Sequence, residues 1–479
     1  MKRVILFPFM AQGHLIPFMQ LAHLISHRKG YTVTIVNTPS NIDTLRSLLP
    51  STSTTIHLSS LPFNPSDHNL PPNSESTHTL PSPLHILTLL RSSESLRPHF
   101  IRLLSDLSSS DGRPPLCIIA DVFVAWTVEV ARDLGIHHAV FTTCGGCGTA
   151  AYFSLWLHSP HLKTPDSSFG VPGFPDGFRL DRSQISGVLK ASRGADDERS
   201  YSFRRYIRLS MESDAMLCNT VEEVEALGVK ALRVVSGLPV WAVGPLLRGP
   251  KPVSSLNHDS RACMEWMDSR ARGSVVYVSF GSQNRVTASQ MRELALGLEM
   301  SGRDFVWVVR APVGFDPEEE FRAEEWLPEG FEERMKNRGV VVRGWAPQVE
   351  ILSHASVGAF LSHCGWNSVL ESLSNGVPVI GWPMGADQYY NAKVMVEELG
   401  VCVELKRGLE GEIDGGDVAR VVGVVMDGGE MKRRAVEVGV KMRAAMGGGE
   451  GGERRGSSLE AFDDFFDKVE AFYNRIFHY

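Results

Sequence analysis

Short apolar runs alternate with longer amphipathic stretches along most of this chain. Residues 4–9 read as a buried strand, 16–28 as an amphipathic helix and 31–37 as a second strand. That order implies parallel strands joined by right-handed crossovers. LCIIAD (116–121), a helix running to Leu134 and HHAVFTT (137–143) repeat it. VGPLLRGPKPVSSLNHDS (243–260) then breaks the pattern with Pro, Gly and Ser. The alternation restarts with SVVYVSFGS (274–282), a helix to Met300, FVWVV (305–309), GVVVRGW (339–345), VGAFLS (357–362), a further helix and VPVIGW (377–382). The expected organisation is α/β, with a domain over 1–248, a linker over 249–259, a second domain over 260–457 and a C-terminal amphipathic helix over 458–479 packing back on the first domain. Residues 50–83, rich in Ser, Pro, Thr and Asn, predict long surface loops, and 446–458 a flexible Gly-rich segment. Ligands of such sheets bind beyond the carboxyl ends of the strands, so a cleft between two facing domains is the expected site.

Composition narrows the partners. A 479-residue chain with 43% hydrophobic and 22% charged residues has ample core for two domains. A net charge of -7 argues against a nucleic-acid or anionic-membrane partner, so an anionic ligand must be held by local dipoles and hydrogen bonds. Seven scattered cysteines argue against a disulfide framework and for a reducing compartment. The apolar start is broken by Pro8 and lacks a cleavage pattern, and no run approaches the ~18 apolar residues that span a bilayer. A cytoplasmic protein without integral membrane association is the expectation.

The chemistry concentrates at strand ends. In FLSHCGWNSVLES (360–372) an apolar strand turns into a helix, and His363, Trp366, Asn367 and Ser368 crowd the turn. The free N–H groups and dipole of a helix start suit a phosphate, to which His363 adds a donor. Ser368-x-x-Glu371 equally matches a capping box that satisfies only backbone groups. WAPQ (345–348) and GADQ (385–388) sit at neighbouring strand ends. An exposed Trp345 indole can stack on a base, Glu371 can accept from ribose hydroxyls, and Asp387 and Gln388 can bind sugar hydroxyls. Asp387 also suits a helix N-cap. His14 opens the first helix and Asp121 ends a strand of the same sheet. A lone histidine or aspartate in such places is commonly a cap, yet a carboxylate there can also orient an imidazole.

Residues 345–388, WAPQVEILSHASVGAFLSHCGWNSVLESLSNGVPVIGWPMGADQ, closely resemble the signature box of plant family 1 UDP-sugar-dependent glycosyltransferases. The resemblance extends to PFMAQGHLIPFMQLA (8–22), NTVEEVE (219–225) and CMEWMDSRARGSVVYVSFGS (263–282). It implies two Rossmann-like domains facing across a cleft, of GT-B type, with acceptor in the first and UDP-sugar in the second. It further implies that Trp345 stacks on uracil, that the Ala346 backbone reads its edge, and that Gln348 and Glu371 hold the ribose. Gly13, Ser282, His363, Asn367 and Ser368 would hold the diphosphate. Thr143, Trp366, Asp387 and Gln388 would face the sugar, with His14 and Asp121 as a catalytic dyad.

The reading is an inverting transfer of glucose from UDP-glucose to a hydroxyl of a small plant secondary metabolite, a flavonoid, other phenolic or terpenoid, giving a β-O-glucoside. His14 is the general base and Asp121 its partner. The resemblance links the glutamine at 388 to glucose. No cofactor or metal is expected, since no two aspartates stand at i and i+2 to hold one. A monomer is expected. The mostly apolar acceptor pocket is placed around Met10, Leu84, Phe123, Trp126, Gly145 and Ala386. A non-catalytic nucleotide-sugar binder and an NAD(P)-dependent oxidoreductase are the alternatives; the latter lacks a G-x-G-x-x-G after its first strand. Cys144-x-x-Cys147 is a single pair without further partners, and DDFFD (463–467) is expected to be the solvated face of the terminal helix.

Overall fold

The computed structural model describes residues 2–49, 54–80, 82, 85–192, 194, 197–316, 320–447 and 455–477. In chain order the strands are β1 (Arg3–Phe7), β2 (Thr32–Asn37), β3 (Ile56–Ser60), β4 (Cys117–Asp121), β5 (His137–Thr142), β6 (Ser168–Gly170), β7 (Arg179–Asp181), β8 (Ala215–Cys218), β9 (Val240–Ala242), β10 (Val275–Ser279), β11 (Asp304–Val309), β12 (Gly339–Arg343), β13 (Val357–Ser362), β14 (Val379–Gly381) and β15 (Cys402–Glu404). They form a seven-stranded sheet ordered β3-β2-β1-β4-β5-β8-β9, a six-stranded sheet ordered β12-β11-β10-β13-β14-β15, and the small pair β6-β7. The pairings within both large sheets are parallel. β1, β2, β4, β5, β8, β10 and β13 are almost wholly buried, because helices cover both faces of a parallel sheet.

Two compact units result. The first comprises Met1–Leu180, Val188–Leu246 and Ala444–Tyr479; the second comprises Asp181–Gly187 and Leu247–Arg443. This division differs from the expected boundaries. The chain from Ala444 on falls in the first unit, where the terminal helix Ser457–Phe477 packs Phe462, Phe465, Phe466, Val469 and Tyr473 into the core around β1, β2 and β4. Asp181–Gly187 go the other way, with Arg407 Nη1 donating to Ser183 Oγ at 2.8 Å.

Three local expectations need correction. The first helix spans Gln12–Lys29 rather than starting at 16; it absorbs Pro17, whose missing N–H costs one ladder bond. Residues 50–83 are not all loop: β3 pairs with β2 from Val33–Ile56 to Asn37–Ser60. The DDFFD run is only in part a solvated face: Asp464 and Asp467 are exposed, whereas Asp463 is partly covered. Asp463 receives Arg28 and Lys29 (Lys29 Nζ at 2.9 Å), and Asp464 accepts the Trp241 indole N–H at 2.8 Å. Those bonds tie the terminal helix to the first unit.

Candidate active site

In each large sheet the strand order reverses once, and ligands of parallel sheets gather at such a point, beyond the carboxyl ends. In the first sheet the reversal lies between β1 and β4. The chain leaving β1 enters the first helix, whose third residue is His14, and β4 ends on Asp121. Their side chains meet: His14 Nδ1 lies 2.6 Å from Asp121 Oδ2. Asp121 is fully buried, whereas the His14 side chain keeps 19% of its surface. The other carboxylate oxygen, Oδ1, accepts the Phe123 backbone N–H at 3.0 Å and caps the short turn after β4. Capping and pairing with His14 thus coexist on one side chain. An Nδ1–H donated to Asp121 leaves Nε2 as the acceptor nitrogen. Thr143, just after β5, places Oγ1 3.4 Å from the same Nδ1. Phe9 and Phe123 stand against the imidazole, with ring centroids at 5.6 and 5.8 Å.

The glutamate ending NTVEEVE supports this edge. Buried Glu225 accepts the backbone N–H groups of Gly146 (2.9 Å) and Cys147 (3.2 Å) and the Thr220 hydroxyl (2.5 Å). It thereby satisfies the start of the helix Gly146–His158, whose N-cap is Gly145.

The second sheet reverses between β10 and β13. The register Ser279–Ser362 aligns the ends of these strands, bringing Gly281 beside His363. His363 is buried, and a Cβ at Gly281 or Gly365 would stand 2.7 or 2.3 Å from its ring. Glycine is required at both positions by this close approach. Burial, then the Arg310 charge, push the His363 pKa down to about 4, so the imidazole is neutral near pH 7. Its Nδ1 has no hydrogen-bond partner among the described residues. Arg310, after β11, donates to the Ser282 carbonyl at 2.7 Å.

Helix Trp366–Ser374 begins with Gly365 as its N-cap. Ser368 is therefore the third helical residue, and the capping-box alternative is overturned. Instead, Gln348 Nε2 donates to Ser368 Oγ (3.0 Å) and Glu371 Oε2 (2.7 Å), while Gln348 Oε1 accepts from the Tyr277 hydroxyl (3.3 Å). Burial pushes the Glu371 carboxyl up to about 7, against the pull of the Gln348 amide. The Trp345 indole is 62% exposed, while Ala346 beside it is buried. Trp366 is buried at the first helical position, and Asn367 follows it.

After β14, Asp387 occupies the N-cap position of helix Gln388–Lys393 but makes no side-chain cap bond. Its Oδ2 accepts from Asn391 Nδ2 at 2.7 Å, and the same amide donates to the Cys364 carbonyl at 3.0 Å. Asn391 therefore ties the 363–368 turn to the 385–388 turn. Sequence reasoning passed over it, although it lies one helical turn beyond Asp387. Gln388 Oε1 accepts the N–H groups of Met384 and Gly385 (2.9 and 3.0 Å), which leaves its NH₂ as the group available to a ligand. Cys364 (φ 63°) and Ala386 (φ 50°) are non-glycine residues in the left-handed region, one in each turn. Strain of this kind collects at ligand sites.

The expected acceptor-pocket residues differ in exposure. Trp126 has no accessible surface; it packs edge-on against Phe7 and Phe100 and donates its N–H to Ser93 Oγ at 3.1 Å. It is a core side chain. Met10 is equally enclosed, and Gly145 is buried. Phe123 is half-buried beside His14, Ala386 is exposed in the second unit, and Leu84 lies outside the described residues.

Comparison with known proteins decides the class. A family profile described as "UDP-glucoronosyl and UDP-glucosyl transferase" matches residues 253–438, and "Glycosyltransferase, N-terminal domain" matches 3–162. The chain is 48% identical to crocetin glucosyltransferase 3 of Crocus sativus over 89% of this chain and 91% of that one. It is 40% identical to UDP-glycosyltransferase 92A1 of Arabidopsis thaliana over 98% and 97%. The chain belongs to the plant UDP-glycosyltransferases. A Medicago truncatula UDP-glycosyltransferase complexed with UDP-glucose superposes with a TM-score of 0.80 at 27% identity, over 98% of each chain. A Phytolacca americana structure with UDP-2fluoro-glucose and pterostilbene gives 0.79 at 28% identity, over 98% of this chain and 100% of that one. The two parallel-sheet units thus have the GT-B fold of this enzyme family. No helix among the described residues is long and apolar enough to cross a membrane, and none of their His, Cys, Asp and Glu side chains form a group of three that could hold a metal ion.

Proposed function

We propose that this UDP-glycosyltransferase transfers glucose from UDP-glucose to a hydroxyl of a small plant secondary metabolite, phenolic or terpenoid, with inversion. The His14–Asp121 pair at 2.6 Å carries the reading. His14 Nε2 takes the acceptor proton as the oxygen attacks the anomeric carbon, the bond from that carbon to UDP breaks, and the Asp121 carboxylate stabilises the imidazolium. An α-linked donor then yields a β-glucoside. Trp345 and the Ala346 backbone receive uracil, and Gln348 and Glu371 the ribose. Ser282, His363 as a neutral donor, and the helix start at Asn367 and Ser368 receive the diphosphate; Gly13 of the first unit belongs to the same set. Thr143, Trp366, Asp387 and the Gln388 NH₂ address the sugar. Glucose is favoured by relatives described as glucosyltransferases and by the donor amide at 388. Relatives named for crocetin, scopoletin and a flavonoid, and a neighbour holding pterostilbene, support the acceptor class.

His14→Ala is expected to lower turnover by ~10²–10⁴-fold with UDP affinity nearly unchanged, because the base acts on the acceptor. Asp121→Asn is expected to slow turnover as well. Both are assayed in excess EDTA, since the helix start is taken to offset the leaving charge without a metal. Near-normal turnover of His14→Ala, or a wild-type enzyme that needs Mg²⁺ restored, would defeat the corresponding part of this reading. Equimolar UDP-glucose and UDP-galactose test the donor: a galactose preference refutes it, and Gln388→Ala is expected to erode the glucose preference. We also take the enzyme to be a cytosolic monomer, which cell fractionation and size-exclusion chromatography check.

A further inference from the structure

The first unit has a concavity at the amino end of its sheet, opposite the carboxyl end that carries His14. It is an open depression of about 550 Å³ beside the amino ends of β5, β8 and β9. β5 runs from His137, on this pocket's wall, to Thr142, next to Thr143. At ~3.3 Å per strand residue the two sites lie roughly 15–20 Å apart along the sheet.

The wall has two kinds of surface. Trp241 and Phe472 offer partly exposed rings, Phe465 lies buried behind them, and His137 packs edge-on against both phenylalanines with centroids at 6.1 and 5.2 Å. His137 is 93% buried by its 7% exposure, and its Nδ1 has no hydrogen-bond partner among the described residues. Burial lowers its pKa against the opposing pull of Asp214, which favours a neutral ring. The charges at the rim are Lys468, Arg475 and Asp214. Lys468 is already held by Asp464 at 2.6 Å and lies over the Trp241 ring, and the Trp241 N–H is taken by Asp464 too. Asp214 accepts the His138 N–H at 2.9 Å. Arg475 is exposed and has no ion pair among the described residues.

We propose that this pocket binds a flat aromatic molecule bearing one carboxylate, its rings against Trp241 and Phe472 and its anionic end on the Arg475 guanidinium. Aromatic faces select flat rings, and a free guanidinium pairs a carboxylate through two parallel hydrogen bonds. This site is separate from the transferase centre, so its occupancy does not depend on the reaction assigned above.

The probe is naphthalene-2-carboxylate, titrated calorimetrically into the full chain saturated with UDP. Ala471, on the pocket wall and exposed on the terminal helix, is changed to Trp to fill the cavity without touching the core. Binding is expected in the wild type, absent in Ala471→Trp and about tenfold weaker in Arg475→Ala, as loss of a charge-assisted bond dictates. Both variants should keep wild-type kcat, which shows that they fold. No binding to the wild type, or binding indifferent to Ala471→Trp, overturns the site. Equal affinity for the methyl ester, with no loss in Arg475→Ala, overturns the carboxylate assignment.

Discussion

Glu371 shows how one side chain makes ligand binding depend on pH. Its carboxyl is raised from 4.5 to about 7, chiefly by burial. A carboxyl that receives ribose hydroxyls must be ionised, so below pH 7 binding has to expel a proton. Affinity should therefore fall about tenfold per pH unit below 7 and level off above it. Uridine is the ligand to titrate, because it has no phosphate ionising in the same range. Glu371→Gln is expected to bind more weakly and without the slope; a flat wild-type profile between pH 5.5 and 7 would count against the ribose role. The pKa of buried His138 shifts the other way, yet its effect too is lost as pH falls. Its pKa is lowered to about 3 by burial, with the charges of His137 and Arg132 adding to it. The unfolded chain then binds more protons between about pH 6.5 and 3, so stability from this group is complete above 6.5 and is lost as pH falls through that window.

At the scale of elements, Asn391 links two strand-to-helix turns that are adjacent only because β13 and β14 pair from Phe360–Val379 to Ser362–Gly381. Its amide holds the Cys364 carbonyl and Asp387 Oδ2, next to two residues in left-handed backbone. Removing it leaves a buried carbonyl unpaired, at about 1–3 kcal/mol, and takes one hydrogen bond from the Asp387 carboxylate. Asn391→Ala and Asn391→Asp are both expected to raise the KM for the UDP-sugar more than they lower kcat. An effect confined to thermal stability, with KM unchanged, would reduce Asn391 to a purely structural bond.

For the whole molecule, the terminal helix decides which unit depends on the end of the chain. The second unit ends at Arg443, and the terminal helix completes the core of the first with Phe462, Phe465 and Phe466. Each buried phenylalanine is worth about 1.5–3 kcal/mol. Deleting 457–479 is therefore expected to lower the calorimetric transition of the first unit by many degrees. UDP at about 100 times its Kd should raise the second unit's transition, by about 2.7 kcal/mol of stabilisation. A single transition moved equally by deletion and by UDP would show that the units unfold as one.

Much of this was legible along the chain. β1, β2, β4, β5, β10, β11, β13 and β14 are apolar runs because strands buried on both faces must be. β3, β8, β9 and β15 escaped notice: Ile56–Ser60 lies in a polar stretch, and the others are three or four residues long. The motif residues were recognisable at strand ends, since strand order and local chemistry are properties of sequence. Only the fold could decide which atoms meet. Pairing of β1 with β4 brings His14 to Asp121 across 107 positions of chain. Nothing local distinguishes Trp126, sealed in the core, from Trp345, left in solvent, because burial is set by what distant segments place on top. The same holds for Asp463, which reads as a surface charge and is clamped by Arg28 from 435 positions away. Periodicity records which face of an element is covered; the covering partner is chosen by tertiary packing.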